Sequence, residues 1–249
     1  MTWSVSDPVL LSVLFFGTAV LYSSVGNAGA SGYLAAMTLA GLPHEVTKST
    51  ALLLNIIVAL ITTVRFYRAG HFSWPIFWPF TVASVPFAFL GGALVLPSAL
   101  YQGLVGMVLL FAAYRLFWYP DRQRPGPTVV PRVPALLLGA CLGFVSGLTG
   151  IGGGIFLGPL LLVMGWAEPR QSASVSAAFI LLNSVAGLGG ETMSVHALPS
   201  AAPLWAGAVV VGGLVGSELG ARQLAEVVLR RLLAVVLAIA SLKLILIHR

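Results

Sequence analysis

Two stretches of this sequence, residues 8–44 and 133–167, contain no Asp, Glu, Lys or Arg. The second runs for 35 residues. As one α-helix it would reach roughly 50 Å, against a bilayer hydrocarbon core of about 30 Å. A segment so apolar belongs in lipid, and one so long cannot cross it in a single pass, so it has to break. Each stretch carries glycines near its middle, "SSVGNAGASG" from Ser23 and "SGLTGIGGG" from Ser146. Backbone that leaves the helix cannot face lipid, because unpaired N–H and C=O groups are too costly there. Two such breaks imply a buried polar cavity.

Composition agrees. The chain is 58% hydrophobic and 8% charged, where a soluble domain carries about 25% charged residues. It reads as an all-α polytopic membrane protein embedded in a lipid bilayer. The net charge of +6 does not indicate nucleic acid, since the Lys and Arg residues sit mostly in short loops between apolar runs. Cys141 stands alone, which excludes an intramolecular disulfide, and reads as small apolar filler. No basic region precedes the first apolar run, so no cleavable signal peptide is expected. His44, His71, His196 and His248 lack metal-ligand spacing. "GNAGASG" and "GIGGG" have no strand before them, which removes the dinucleotide reading. No catalytic triad, HExxH or Walker sequence is present. The expectation is no enzyme, no metal and no cofactor.

The two breaks prompt a search for a repeat. A shift of 124 lays Gly26, Gly29 and Gly41 over Gly150, Gly153 and Gly165. A shift of 128 lays Asn55 over Asn183, Pro75 over Pro203 and Gly92 over Gly220. Each half then reads as a broken, re-entrant helical pair (8–24 and 30–42; 133–148 and 154–166) followed by three transmembrane helices (47–66, 76–97, 100–118; 172–190, 201–220, 229–247). The halves are residues 1–119 and 133–249, joined by a Pro-rich linker at 120–132. With that linker cytoplasmic, ten of the thirteen Lys and Arg residues fall inside, both termini lie outside, and the halves become inverted repeats. A count of eight full helices stays open.

Helix starts are expected near Ala30 and Gly154. A helix N-terminus offers N–H groups and partial positive charge, which suits an anion, and glycine lets backbone approach closely. The candidate binding residues are Ser24, Asn27, Gly29, Ala30 and Ser31 at the first break, and Thr149, Gly150, Gly152, Gly153 and Gly154 at the second. Asn55 and Asn183 join them as amides in apolar runs that need partners. Ser23, Ser146, Thr50, Ser176 and Ser184 are further lining candidates. Glycine packing between helices and interhelical amide bonding are the plain alternatives. Among the charges, Glu218 is expected to pair with Arg222 one turn on, Arg65 and Arg68 to meet lipid headgroups, and Lys48 and Glu191 to be solvated near outer helix ends, with attraction of an anion to the outer mouth by Lys48 and proton binding by Glu191 as the alternatives.

"GFVSGLTGIGGGIFLGPLLLVMGW" followed by "SASVSAAFILLNSVAGLGG" resembles the sulfite exporter TauE/SafE family. "SSVGNAGASGYLAAMTLAGLPHEVTKSTALLLN", "RFYRAGHFSW" and "PFAFLGGALVLP" support the resemblance, which covers nearly the whole chain. It implies a bacterial inner-membrane permease of two related halves that exports sulfite or a small organosulfonate such as sulfoacetate. It also implies that Gly150, Gly152 to Gly154 and Asn183 match the family pattern. The first half departs from a full glycine cluster at Asn27, Ala28 and Ala30. The leading expectation is a secondary transporter of a small anion, working by rocking of one half against the other. An anion channel and a non-transporting accessory protein are the alternatives, and a homodimer is left open.

Overall fold

The computed structural model describes residues 8–94, 96–117, 130–191 and 198–221. The expected last helix (229–247), nearly all of the linker, and Arg222 lie outside the described residues. Among the described residues there are nine helices and no strand: α1 (Pro8–Ser24), α2 (Ala30–Leu39), α3 (His44–Arg68), α4 (Trp74–Ala93), α5 (Ser98–Phe117), α6 (Arg132–Thr149), α7 (Gly154–Val163), α8 (Pro169–Gly190) and α9 (Ala202–Ala221). Five of them, α3, α4, α6, α8 and α9, are long and apolar enough to cross a membrane.

The short helices begin at the expected residues but stop sooner, at Leu39 and Val163. The cause is local. Gly41 and Gly165 take left-handed φ of 76° and 67°. The chain then closes each helix with backbone bonds from Leu42 N to Met37 O at 3.0 Å and from Trp166 N to Leu161 O at 2.9 Å. These are the six-to-one bonds of a Schellman stop. Pro169 and a capping box between Glu168 and Gln171 start α8.

α2 folds back along α1. Tyr22 bonds Ser31 at 2.7 Å, and the Phe15 and Tyr33 rings meet edge-on at 5.3 Å, so the later residue in α2 meets the earlier one in α1. α3 and α8 run antiparallel, with Lys48 opposite Glu191, Leu52 beside Gly187 and Asn55 on Ser184. Two further seams are parallel. In one, Gly139, Gly143 and Gly147 of α6 lie on the backbone of Phe80, Ser84 and Ala88 of α4. In the other, Gly212, Gly216 and Gly220 of α9 lie on Phe16, Val20 and Ser24 of α1. A methyl at any of these six glycines would overlap a carbonyl oxygen of the facing helix or crowd it closely. These are the close backbone approaches that small residues every four positions permit. Buried side chains form two cores. One gathers α1, α2, α3, α5 and α9, and the other gathers α4 and α6, with α7 and α8 reaching both.

Candidate substrate-binding site

The two breaks meet. Gly26 of the first packs on Ala173 at the start of α8, and Gly150 of the second packs on Lys48 at the start of α3. The aligned glycines share left-handed backbone: φ is 78° and 79° at Gly26 and Gly150, and 99° and 77° at Gly29 and Gly153. Only glycine takes that conformation without strain.

Asn55 ties the breaks together. Its Oδ1 accepts from Ala30 N, the first N–H of α2, at 3.1 Å. Its Nδ2 donates to Ile151 O at 3.2 Å and to Ser184 Oγ at 3.3 Å. The N-terminus of α2 is thereby capped from α3. Gly153, the N-cap of α7, has no side chain with which to cap that helix, and among the described residues no side chain bonds the Gly154 N–H as Asn55 bonds that of Ala30. A Cβ built on Gly154 would lie 3.1 Å from Asn27 Oδ1, so the first-half amide faces the second-half helix start. Asn27 Oδ1 is buried without a hydrogen-bond partner, as are Ser146 Oγ, Ser176 Oγ, Thr50 Oγ1 and Asn183 Oδ1. Ser146 borders Gly153, and Ser176 Oγ lies 3.2 Å from a Cβ built on Gly158, one turn along α7 from Gly154. Each such orphan costs about 1–3 kcal/mol unless something pairs with it.

The remaining candidates divide. Gly152 abuts Asn55 and Ser184, and Gly153 abuts Phe179 and Ser146. Ser31 is engaged by Tyr22, and Gly29 lies against Tyr33 and Thr18. Thr149 turns its hydroxyl back to Val145 O at 2.7 Å, while its carbonyl accepts from Tyr101 at 3.3 Å. Ser24 bonds Leu21 O and its backbone meets Gly220, so it belongs to the α1–α9 seam. Asn183 does not mirror Asn55: its Nδ2 returns to Phe179 O at 2.8 Å within α8.

Two charge expectations are corrected. Lys48 and Glu191 are not solvated. They are 7% and 9% exposed and stand 4.0 Å apart, with Lys48 Nζ donating to Gly92 O at 3.0 Å. α8 is long enough to deliver Glu191 beside the start of α3. Glu218 takes a 2.7 Å bond from Arg65 on α3, because α9 packs on α3 as well as on α1, while its expected partner Arg222 lies outside the described residues. Arg65 thus has a protein partner. Cys141 is exposed on α6 rather than packed. Among the described residues no cluster of three metal-ligating side chains occurs.

The family model described as "Sulfite exporter TauE/SafE" matches residues 10–244. The chain is 39% identical over 244 residues to the "Probable membrane transporter protein y4hK" of Sinorhizobium fredii, covering 96% of this chain and 99% of that one. It is 27% identical over 258 residues to the "Probable membrane transporter protein YjnA" of Bacillus subtilis, covering 96% and 100%. No solved structure matches.

Proposed function

The chain belongs to the sulfite exporter TauE/SafE family of membrane transporters, and on that premise we propose that it is a secondary transporter exporting a small oxyanion, sulfite or a small organosulfonate. The observation that carries this is the uncapped start of α7, faced by Asn27 from the other break and bordered by buried polar atoms without partners. A helix start and hydroxyl donors in an apolar surround suit an anion. The capped α2 start makes the site one-sided: the anion sits at Gly153 and Gly154, with the Ser146 hydroxyl and the Asn27 amide, turned so that Nδ2 and not Oδ1 faces the anion, as side-chain donors. An inside-negative potential favours its exit by about 2.3 kcal/mol per charge per 100 mV. The halves act as inverted repeats with the linker cytoplasmic, in a bacterial inner membrane. Antiparallel packing of α3 on α8, which the repeat equates, supports that arrangement.

The test is flux into proteoliposomes of sulfite, sulfate, thiosulfate and sulfoacetate. Wild-type protein is expected to carry sulfite or the sulfonate, and Asn27→Leu to lose that flux while keeping its helical content. Absence of flux for all four would overturn the reading.

A further inference from the structure

Lys48 lies two turns before Asn55, on the same face of α3. That face runs along the second break, with Lys48 against Gly150 and Asn55 against Ile151 and Gly152. The backbone and stem of Lys48 border the break at Gly150, three residues before Gly153, and its ammonium is buried between the ends of α4 and α8. Its short hydrogen bond goes to the Gly92 carbonyl at 3.0 Å, while the Glu191 carboxylate stands back at 4.0 Å. Tyr101 of α5 approaches the same corner, bonding the carbonyl of Thr149 beside Gly150. α4 and the C-cap of α6 present backbone here: the Gly92 carbonyl and Gly150.

A charge inside a membrane protein is costly and faces partners or pathways, and a lone buried ion costs far more than a paired one. Glu191 meets that need electrostatically without closing a tight hydrogen bond. The lysine has three donors on a flexible stem, so it can turn to another anion. We infer that Lys48 is the cationic docking group for the transported anion and that Glu191 is the counter-charge that holds it in the empty protein. Substrate and the Glu191 carboxylate then compete for one ammonium. This inference rests on the transport reading above.

The test uses the full chain in proteoliposomes, with sulfite and sulfoacetate as probes. Glu191→Gln removes the competitor, so KM falls about tenfold. Lys48→Gln raises KM by more than about tenfold, and Lys48→Arg, which keeps the charge, recovers part of the loss. A purely structural pair would move both single variants the same way, and the double variant Lys48→Gln with Glu191→Gln would regain transport. Here the double variant remains as poor as Lys48→Gln, although its thermal melting returns towards wild type. If Glu191→Gln does not reconstitute, Glu191→Asp withdraws the carboxylate by one methylene and lowers KM to a smaller extent. An unchanged or raised KM in the Glu191 variant, or transport restored in the double variant, overturns the inference. Wild-type protein that moves neither probe overturns the transport reading instead.

Discussion

Asn55 and Asn183 look alike in sequence, each an amide in an apolar run. The fold gives them different work. Asn55 makes hydrogen bonds to Ala30 N, Ile151 O and Ser184 Oγ, joining both breaks. Asn183 satisfies its NH2 group within its own helix and leaves its oxygen buried without a partner. Asn55→Ala strands a buried helix-start N–H and a carbonyl, at about 1–3 kcal/mol for each group left unpaired. It should lower the thermal midpoint markedly. Asn183→Ala removes an oxygen that nothing in the protein satisfies, so it should cost much less stability; comparing the two melts in one detergent checks this. Gly152→Ala should be worse than either, since φ is 81° there and the methyl would press on Asn55 Nδ2. The amides as a matched pair were legible from the sequence. Their unequal roles were not, because they depend on how far each helix is rotated towards the breaks. The Lys48–Glu191 contact was also hidden: its partners stand on different helices far apart in the chain.

At the scale of helices, the neutral stretches already dictated a break, and the glycine clusters marked it to within a residue of where α2 and α7 begin. The same sequence read glycine in the helices only as generic packing. The stripes at 139, 143, 147 and 212, 216, 220 repeat every four residues and therefore lie on one helical face. That spacing was visible, but which helix receives each stripe was not, because parallel seams between distant elements leave no local trace. Gly143 meets the backbone of Ser84, and Gly216 meets that of Val20. Gly143→Leu or Gly216→Leu must push two helices apart, an overpacking cost of about 1–3 kcal/mol or more. Gly207 lies on α9 with nothing within 4 Å of an added Cβ. Gly207→Leu should be tolerated. Yields of monodisperse protein from the three variants separate these outcomes, and equal loss from Gly207→Leu would refute the seam account.

On the scale of the whole molecule, the seams change how the halves can move. α1 packs with α9 and α4 with α6, so each core draws helices from both halves of the sequence. Rocking one sequence half against the other would pull both glycine seams open. Motion that spares them carries α1, α2 and α9 as one body against α4, α6 and α7, about the antiparallel α3–α8 contact. Both stripes, moreover, belong to the second half, at 139–147 and 212–220. The first half offers Phe16, Val20 and Ser24 on α1 and Phe80, Ser84 and Ala88 on α4, the surfaces those stripes receive. It has no glycine stripe of its own to pair with them, so two copies of residues 1–119 cannot rebuild either seam. Residues 1–119 produced alone should therefore aggregate or be degraded. Produced together with residues 120–249, they should form a complex that co-purifies through a tag on either fragment. A first half that is monodisperse and protease-resistant by itself would show that its apolar faces are satisfied without the glycines of the second, and the two-body account would fall with that result.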